Sequence, residues 1–139
     1  MRFWDSSALV PLLTLEPTSE PMQALFDADP HIVAWWATDI ECASALVRRE
    51  RLGAAPESQT EAFARLEALV HDWQAVEPTN QVKETARRIV RTHDLRAGDA
   101  LQLGAAVAAS HGRPERLVLV TLDDRLALAA RREGFPVLP

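Results

Sequence analysis

The chain has 139 residues, of which 47% are hydrophobic and 25% are charged, and its formal net charge is −5. This composition is that of an ordinary globular protein with one sizeable core, and the negative charge argues against a protein that coats nucleic acid by bulk attraction. No apolar run approaches the roughly 18 residues that a membrane span needs.

Two local features extend these exclusions. The apolar run that starts at Ala8 is broken by Pro11 and Glu16 and leads to no cleavage pattern, which argues against a secretory signal peptide. Cys42 is the one cysteine, so an internal disulfide and a cysteine-rich zinc site are excluded. We therefore expect a single cytoplasmic domain over residues 1–139, in which Cys42 is a small packed residue.

The first half of the chain alternates short apolar runs with amphipathic segments. The period of the apolar residues and the Pro, Gly and Thr residues at segment ends set the predicted bounds. In chain order they predict a strand over 2–4, helices over 8–15 and 18–29, a strand over 31–36, and a helix over 38–52.

The second half continues the alternation. In chain order it predicts helices over 57–72, 80–93, 97–111 and 124–132, with strands over 75–76, 117–120 and 135–138. The 97–111 helix is apolar on nearly all sides and is expected to be buried. The 117–120 run is typical of a central parallel strand, and Pro136 indicates an edge strand. The pattern predicts an α/β fold whose central, mostly parallel sheet carries helices on both faces.

Four carboxylates stand where predicted strands end or the next helices begin: Asp5, Glu41, Asp99 and Asp123. Ligands of open α/β sheets bind outside the carboxyl ends of the strands, so all four are expected to converge there. Asp124, next to Asp123, leaves the fourth position ambiguous by one residue. Each acid also has a structural reading, as a helix cap or as a first-turn charge that complements the helix dipole.

Clustered acids raise one another's pKa unless a positive charge lies among them. Asp99 begins an apolar helix and is expected to be partly buried, so its charge needs Arg96 or a cation. Mg²⁺, or Mn²⁺, suits carboxylate oxygens, and the four histidines are too scattered for a zinc site. Such a cluster suits phosphodiester hydrolysis by a metal-activated water, with one or two ions left open.

Arginine accounts for fourteen of the fifteen basic residues. Its planar fork suits phosphate, although clusters of arginine are usually solvated helix faces. Our hypothesis is that a local positive rim guides a nucleic acid toward the acids. The clusters are Arg48, Arg49 and Arg51, and Arg87, Arg88 and Arg91.

Taken together, these segments resemble the PIN-domain proteins, and within them the VapC-type toxin ribonucleases of bacterial toxin–antitoxin systems. The resemblance spans nearly the whole chain. The matching pieces, in the family's order, are Trp4-Asp5-Ser6-Ser7-Ala8-Leu9-Val10, Glu41 with Ala45-Leu46, Leu95-Arg96-Ala97-Gly98-Asp99-Ala100-Leu101-Gln102-Leu103, and Val120-Thr121-Leu122-Asp123. Ser6, where the family often has Thr, and Gly98, where a larger residue is frequent, depart from the pattern.

The resemblance implies a three-layer α/β/α sandwich and metal-dependent endoribonuclease activity. It implies Asp5 and Asp99 as principal metal ligands and Glu41 and Asp123 as supporting acids, with Asp123 preferred because it lies two residues after Thr121. It also implies a cognate antitoxin that covers the active-site groove, and a homodimer. Ser6 and Ser7 are expected to cap the first helix while Asp5 turns to the metal. The expected substrate-binding residues are Ser7, Thr121, Arg48 and Arg49.

Two alternatives remain open from the residues. The chain could be a catalytically degenerate PIN-like module that binds RNA or a partner, although the presence of all four acids argues against this. It could also be a pure interaction module, because Trp35, Trp36 and Trp73 are of a type enriched at interfaces. Other Mg²⁺-dependent α/β enzymes fit poorly, since Ser7 stands where a dehalogenase-type phosphatase needs a second aspartate.

Overall fold

The computed structural model describes residues 1–139, and five strands form one sheet. They are β1 Arg2–Trp4, β2 Ile32–Trp35, β3 Gln74–Val76, β4 Leu119–Val120 and β5 Val137–Leu138. Their order is β3-β2-β1-β4-β5, and all four pairings are parallel. The predicted parallel sheet is confirmed, and β5 is an edge strand as Pro136 indicated.

Seven α-helices connect and cover the strands. They are α1 Ser6–Leu13, α2 Ser19–Ala28, α3 Thr38–Arg51, α4 Pro56–Asp72, α5 Asn80–Thr92, α6 Ala97–Ala109 and α7 Asp124–Arg132. Every predicted helix exists, with bounds that differ by at most two residues. None of them combines the length and the apolarity needed to cross a membrane.

The sheet separates two hydrophobic cores, because neighbouring residues of a strand point to opposite faces. Phe3 packs with residues of α5, α6 and α7, including Ile89 and Leu103. Trp4, the next residue, packs with residues of α1 to α4, including Leu9 and Leu46. Helices therefore cover both faces of the sheet, which confirms the α/β/α sandwich.

Two strands and one helix begin two residues away from their predicted starts. α1 starts at Ser6, two residues early, and continues through Pro11. β4 includes only Leu119 and Val120, because a 3-10 turn at Pro114–Arg116 directs the chain into it. β5 likewise has two residues. These short strands place Thr121 directly at the carboxyl edge of the sheet, beside the end of β1.

Candidate active site

Asp5 follows β1 at the centre of the sheet and is only 3% exposed. Its Oδ2 accepts hydrogen bonds from the Ser7 backbone N–H at 3.2 Å, the Ser7 hydroxyl at 2.5 Å and the Thr121 hydroxyl at 2.9 Å. Its Oδ1 has one long contact, from the Ser6 hydroxyl at 3.5 Å. Asp5 itself is the N-cap of α1, so the expectation that Ser6 or Ser7 caps this helix is wrong. The same carboxylate caps with one oxygen and leaves the other available to a ligand.

Ser7 and Thr121 form a bracket that links the ends of β1 and β4. Their hydroxyl oxygens are 3.2 Å apart. The Ser7 hydroxyl also accepts from the Leu122 N–H at 2.9 Å, and the Thr121 hydroxyl accepts from the Asp123 N–H at 3.1 Å. Thr121 is 2% exposed, so it lies behind Asp5 rather than on the surface. This geometry favours an orienting role for Thr121 over the direct substrate contact that the sequence predicted.

Glu41 lies in the first turn of α3 and is half-buried. Gln102, from the second turn of α6, donates its side-chain N–H to Glu41 Oε2 at 2.9 Å and to the Thr38 hydroxyl at 3.1 Å. Burial raises the pKa of Glu41, hydrogen bonds from Gln102 and Ser6 oppose the rise, and the charges of Asp5 and Asp99 add to it. Glu41 is thus held in one orientation, close enough to Asp5 and Asp99 for their charges to raise its pKa.

Asp99 occupies the first turn of α6 and is half-buried, as the apolar character of that helix indicated. Burial raises its pKa, and the charges of Asp123 and Asp5 raise it further. Arg96 and Arg125 act in the opposite direction. Burial also raises the pKa of Asp5, against the hydrogen bonds from Ser7 and Thr121. Three carboxylates at this edge therefore resist ionisation.

Asp123 is the N-cap of α7, and its Oδ1 accepts from the Leu126 N–H at 2.8 Å. The structural reading of this residue is thus correct, yet its charge also acts on Asp99. Asp124 is exposed in the first turn of α7 and is absent from the charges that perturb the other acids. The structure therefore favours Asp123 as the fourth acid.

The donor chemistry of this edge fits a hard divalent cation, although no three Asp, Glu, His or Cys side chains form a ready-made cage. Mg²⁺ needs no such cage, because it keeps several waters and binds through one or two carboxylates. The unshared Oδ1 of Asp5 and the raised pKa values of Asp5, Glu41 and Asp99 are the features that a cation relieves. Cys42 is buried in the core, and burial raises its pKa to about 12, so it offers no thiolate.

A groove of about 820 Å³ opens beside Glu41, between α1 and α3. Ser6 and Ser7 line it near the acids, and Arg48 and Arg49 line it about two turns further along α3 than Glu41. Arg49 pairs with Glu16 at 2.9 Å, whereas Arg48 is exposed and has no ion pair. The groove thus runs from Glu41 at the acidic edge to the arginine side chains of α3.

The second arginine cluster lies elsewhere. Arg88 makes a bidentate pair with Glu133, at 2.9 and 2.7 Å. Glu133 follows the last residue of α7, whereas Asp123 precedes the first. The nine residues of α7 separate these points by about 14 Å at the rise of an α-helix. The structure therefore brings the α3 arginines to the acids and keeps the α5 arginines away from them.

Sequence reasoning missed three residues of this site: Gln102, Ser6 and Arg125. Gln102 was detectable in principle, because it is three residues after Asp99 and so shares a helix face with it. Ser6 contacts the carboxylates of both Asp5 and Glu41. The charge of Arg125 lowers the pKa of Asp99 because α7 packs against α6, and no local sequence pattern predicts that contact between helices.

Comparisons with known proteins identify the fold independently. The PIN domain family model matches residues 2–132. Ribonuclease VapC45 and Ribonuclease VapC49, from two strains of Mycobacterium tuberculosis, are each 32% identical over 147 residues, covering 99% of this chain and 94% of theirs.

Solved structures agree with these matches. The crystal structure of PAE2754 from Pyrobaculum aerophilum superposes with a TM-score of 0.70 at 24% identity, covering 98% of this chain and 89% of that one. M. tuberculosis VapC20, a toxin described as cleaving the sarcin-ricin loop, superposes with a TM-score of 0.68 at 18% identity and coverage of 97% and 96%. At these identities the superpositions establish the shared fold.

Proposed function

The chain belongs to the PIN-domain family, as a relative of the VapC ribonucleases, and on this basis we propose that it is a toxin that hydrolyses RNA phosphodiester bonds with a divalent metal. The observation that carries the proposal is the meeting of four acids at one edge of the sheet. The charges of Asp5 and Asp99 raise the pKa of Glu41 there, and the charges of Asp123 and Asp5 raise the pKa of Asp99.

Asp5 and Asp99 are the proposed principal ligands of Mg²⁺ or Mn²⁺, and Glu41 and Asp123 the supporting acids. When bound, the metal lowers the pKa of a water for attack at phosphorus and offsets the negative charge that develops on the phosphate oxygens. The protein itself supplies orientation. Ser7 and Thr121 fix Oδ2 of Asp5, which would leave Oδ1 free to bind the metal. Gln102 fixes Glu41 in the same way.

RNA is proposed to approach along the groove between α1 and α3. Arg48 has no carboxylate partner and can pair with a backbone phosphate, whereas Arg49 must share its charge with Glu16. Ser7 is half-exposed at the end of the groove nearest Asp5 and can donate only after giving up its bond to Asp5. Its proposed contribution to substrate binding is therefore secondary to orienting Asp5.

A cognate antitoxin and self-association are proposed from the family. A Klebsiella pneumoniae toxin–antitoxin complex has the same fold, with a TM-score of 0.68 at 16% identity. The antitoxin tail is proposed to occupy the groove beside Glu41 and so exclude RNA. Homodimer formation is proposed on the family resemblance alone. Co-purification with the product of the neighbouring reading frame, and the mass of the isolated chain in solution, test these two partners.

The deciding experiment compares RNA cleavage by the wild type, Asp5→Asn and Asp99→Asn, each with Mg²⁺, Mn²⁺ or EDTA. We expect cleavage only by the wild type with a metal. Asp124→Asn is the matched control, because Asp124 is exposed next to the site and contacts none of the other acids; it should cleave like the wild type. Cleavage that survives EDTA, or both aspartate substitutions, rules the proposal out and favours a binding module.

A further inference from the structure

Three separate segments bring arginine residues together at the end of α7 that lies away from the acids. The bidentate pair between Arg88 and Glu133 fixes the C-terminal half of α5 to this end. The turn at Pro114–Arg116 also packs against this end of α7. Pro114 lies so close to Gly134, two residues after α7, that a Cβ added to Gly134 would be 3.3 Å from Pro114 Cγ. The last turn of α7 contributes its own arginines.

We call the unpaired arginines of these segments the basic face. It consists of Arg87, Arg91, Arg113, Arg116, Arg131 and Arg132, all exposed. None of them has a carboxylate oxygen within 4.0 Å, whereas Arg49, Arg65 and Arg88 each do. Arg87 and Arg91 stand one turn apart along one shallow depression of α5, beside Arg88. Like charges at this spacing repel and so destabilise a helix.

Charge at the basic face contrasts with that of the whole chain. Over residues 84–94, 113–116 and 131–133 there are seven arginines, counting Arg88, and four carboxylates, Glu84, Asp94, Glu115 and Glu133, although the chain carries a net charge of −5. The excess of negative charge therefore lies on the remaining surface. A polyanion approaching this protein meets attraction at the basic face and repulsion over most of the rest.

The basic face lies at the opposite edge of the sheet from the acids. Gly134 and Arg116 precede β5 and β4, whereas Asp5 and Thr121 follow β1 and β4, and all these strands are parallel. A double-stranded nucleic acid carries one charge per about 1.7 Å of axis, so the roughly 14 Å length of α7 corresponds to about eight phosphates. The groove lies between α1 and α3 on one face of the sheet, whereas α5 and α7 cover the other face, so an RNA must extend beyond the groove to contact both places.

We propose that the basic face binds the phosphate backbone of a structured RNA, as a second contact remote from the site of cleavage. This rests on the proposed function, because RNA is the substrate proposed for the acidic edge. Arginine is suited to the role, since its planar fork pairs with phosphate oxygens and stays charged at every physiological pH. The face selects for folded RNA by reach and charge, without reading sequence.

Binding of a labelled hairpin RNA of about 30 nucleotides, measured in EDTA so that metal-dependent cleavage is suppressed, tests this inference. The test variant carries Arg87→Gln and Arg91→Gln, which leaves the Arg88 pair intact. We expect about tenfold weaker binding. The slope of log affinity against log salt concentration should become less steep by the amount that corresponds to the loss of nearly two phosphate contacts. Arg65→Gln, an exposed helical arginine on α4, should change little, and the double lysine variant Arg87→Lys/Arg91→Lys should retain most of the affinity.

The inference is wrong if the glutamine variant keeps the affinity and salt dependence of the wild type. It is also wrong if the variant binds RNA as the wild type does but binds polyglutamate, a polyanion without phosphate, more weakly. Cleavage of a single strand of about six nucleotides should be equal in the wild type and the glutamine variant. The two proposals fail separately. If no RNA is cleaved but the hairpin result holds, the proposed function is wrong and the basic face stands.

Discussion

Single side chains at the acidic edge have two roles at once. Asp5 caps α1 with Oδ2 and leaves Oδ1 with one long contact from Ser6, and Asp123 caps α7 while its charge acts on Asp99. The capping interpretation and the catalytic interpretation of these aspartates are therefore compatible, because a carboxylate has two oxygens and a cap uses one. A substitution that preserves the cap, such as Asp→Asn, isolates the contribution of the charge.

Gln102 should prove to be a positioning residue for Glu41. Gln102→Leu removes the 2.9 Å hydrogen bond and leaves Glu41 free to turn, so we expect kcat/KM to fall by about 10–100-fold. Weaker stabilisation of the fold by Mn²⁺ should accompany the loss. Gln59→Leu is the control, because Gln59 is also buried but donates to the Leu46 carbonyl in the opposite core. Equal activity of the two variants would contradict the assignment.

Metal binding should depend on pH in a defined direction. Burial raises the pKa values of Asp5, Glu41 and Asp99 above their unfolded values, so without metal the free energy of unfolding rises as pH falls through the raised values. Protons then compete with the cation. We expect Mg²⁺ to raise the unfolding temperature at neutral pH and to lose this effect in mildly acidic buffer. The same gain at both pH values, or in Asp5→Asn, would argue against carboxylate ligation.

At the scale of elements, α6 is the part on which the site depends. It carries Asp99 and Gln102, and its middle lies against α5 so closely that a Cβ on Gly104 would be 3.0 Å from the Val82 carbonyl oxygen and 3.3 Å from the Ala86 nitrogen. Backbone atoms cannot swing aside as a side chain can. Gly104 therefore sets how near α6 approaches α5, and with it the height of Asp99 above the sheet.

Gly104→Ala should destabilise the protein. The added methyl meets two backbone atoms of α5, and overpacking of about 1–3 kcal/mol outweighs the gain of up to about 1 kcal/mol in helix propensity. Gly98→Ala, in the same helix, is the control, because nothing lies within 4 Å of its added Cβ; it should be neutral or stabilising. Denaturant unfolding of both variants measures the difference. The same sign of change in both would show that the close approach is unimportant.

The ion pair between Arg88 and Glu133, which joins α5 to the end of α7, should contribute to the loss of stability at acidic pH. Hydrogen bonds from Arg88 and then His93 lower the pKa of Glu133 from 4.5 to about 2. The stabilisation is therefore complete above the unfolded pKa and is lost as pH falls from 4.5 towards 2. Glu133→Gln should lower the free energy of unfolding by about 2 kcal/mol at neutral pH and flatten this acid loss. Glu61→Gln, which breaks only an exposed 4.0 Å pair, should do neither.

At the scale of the whole molecule, the sheet sorts charge between its two edges. Four acids meet at the carboxyl ends of the strands, and the basic face lies at the other end of α7. The groove beside Glu41 adds the α3 arginines at the acidic edge. A net charge of −5 is thus compatible with RNA as a substrate, because local field rather than total charge guides a polyanion.

Arg48→Gln should weaken RNA binding and lower the salt slope by about one phosphate contact. Arg49→Gln should have the smaller effect on binding, because Arg49 already pairs with Glu16, and it should cost some stability. Filter or fluorescence binding over a salt series measures both variants. An equal response in both would mean that the Glu16 pair does not restrain Arg49, and no response in either would remove α3 from the RNA path.

The sequence by itself determined the kinds of elements and the kinds of chemistry. Apolar periodicity located every helix and strand, because each segment buries one face and the spacing of its own apolar residues shows which face that is. The position of Asp5 after an apolar run, and of Glu41 and Asp99 in first turns, indicated the edge at which they meet. Bounds failed where one side chain decided them, as at Asp5, which starts α1 two residues early.

Only the tertiary structure decided which groups touch. Thr121 bonds to Asp5 across 116 positions, and Gln102 bonds to Glu41 across 61. It likewise separated two arginine clusters that look alike in sequence. Arg48 and Arg49 of the first line the groove, whereas Arg88 of the second pairs with Glu133 at the far end of α7. The physical reason is that such contacts follow from how rigid helices pack on the sheet, and the packing depends on the shape and volume of all the side chains together.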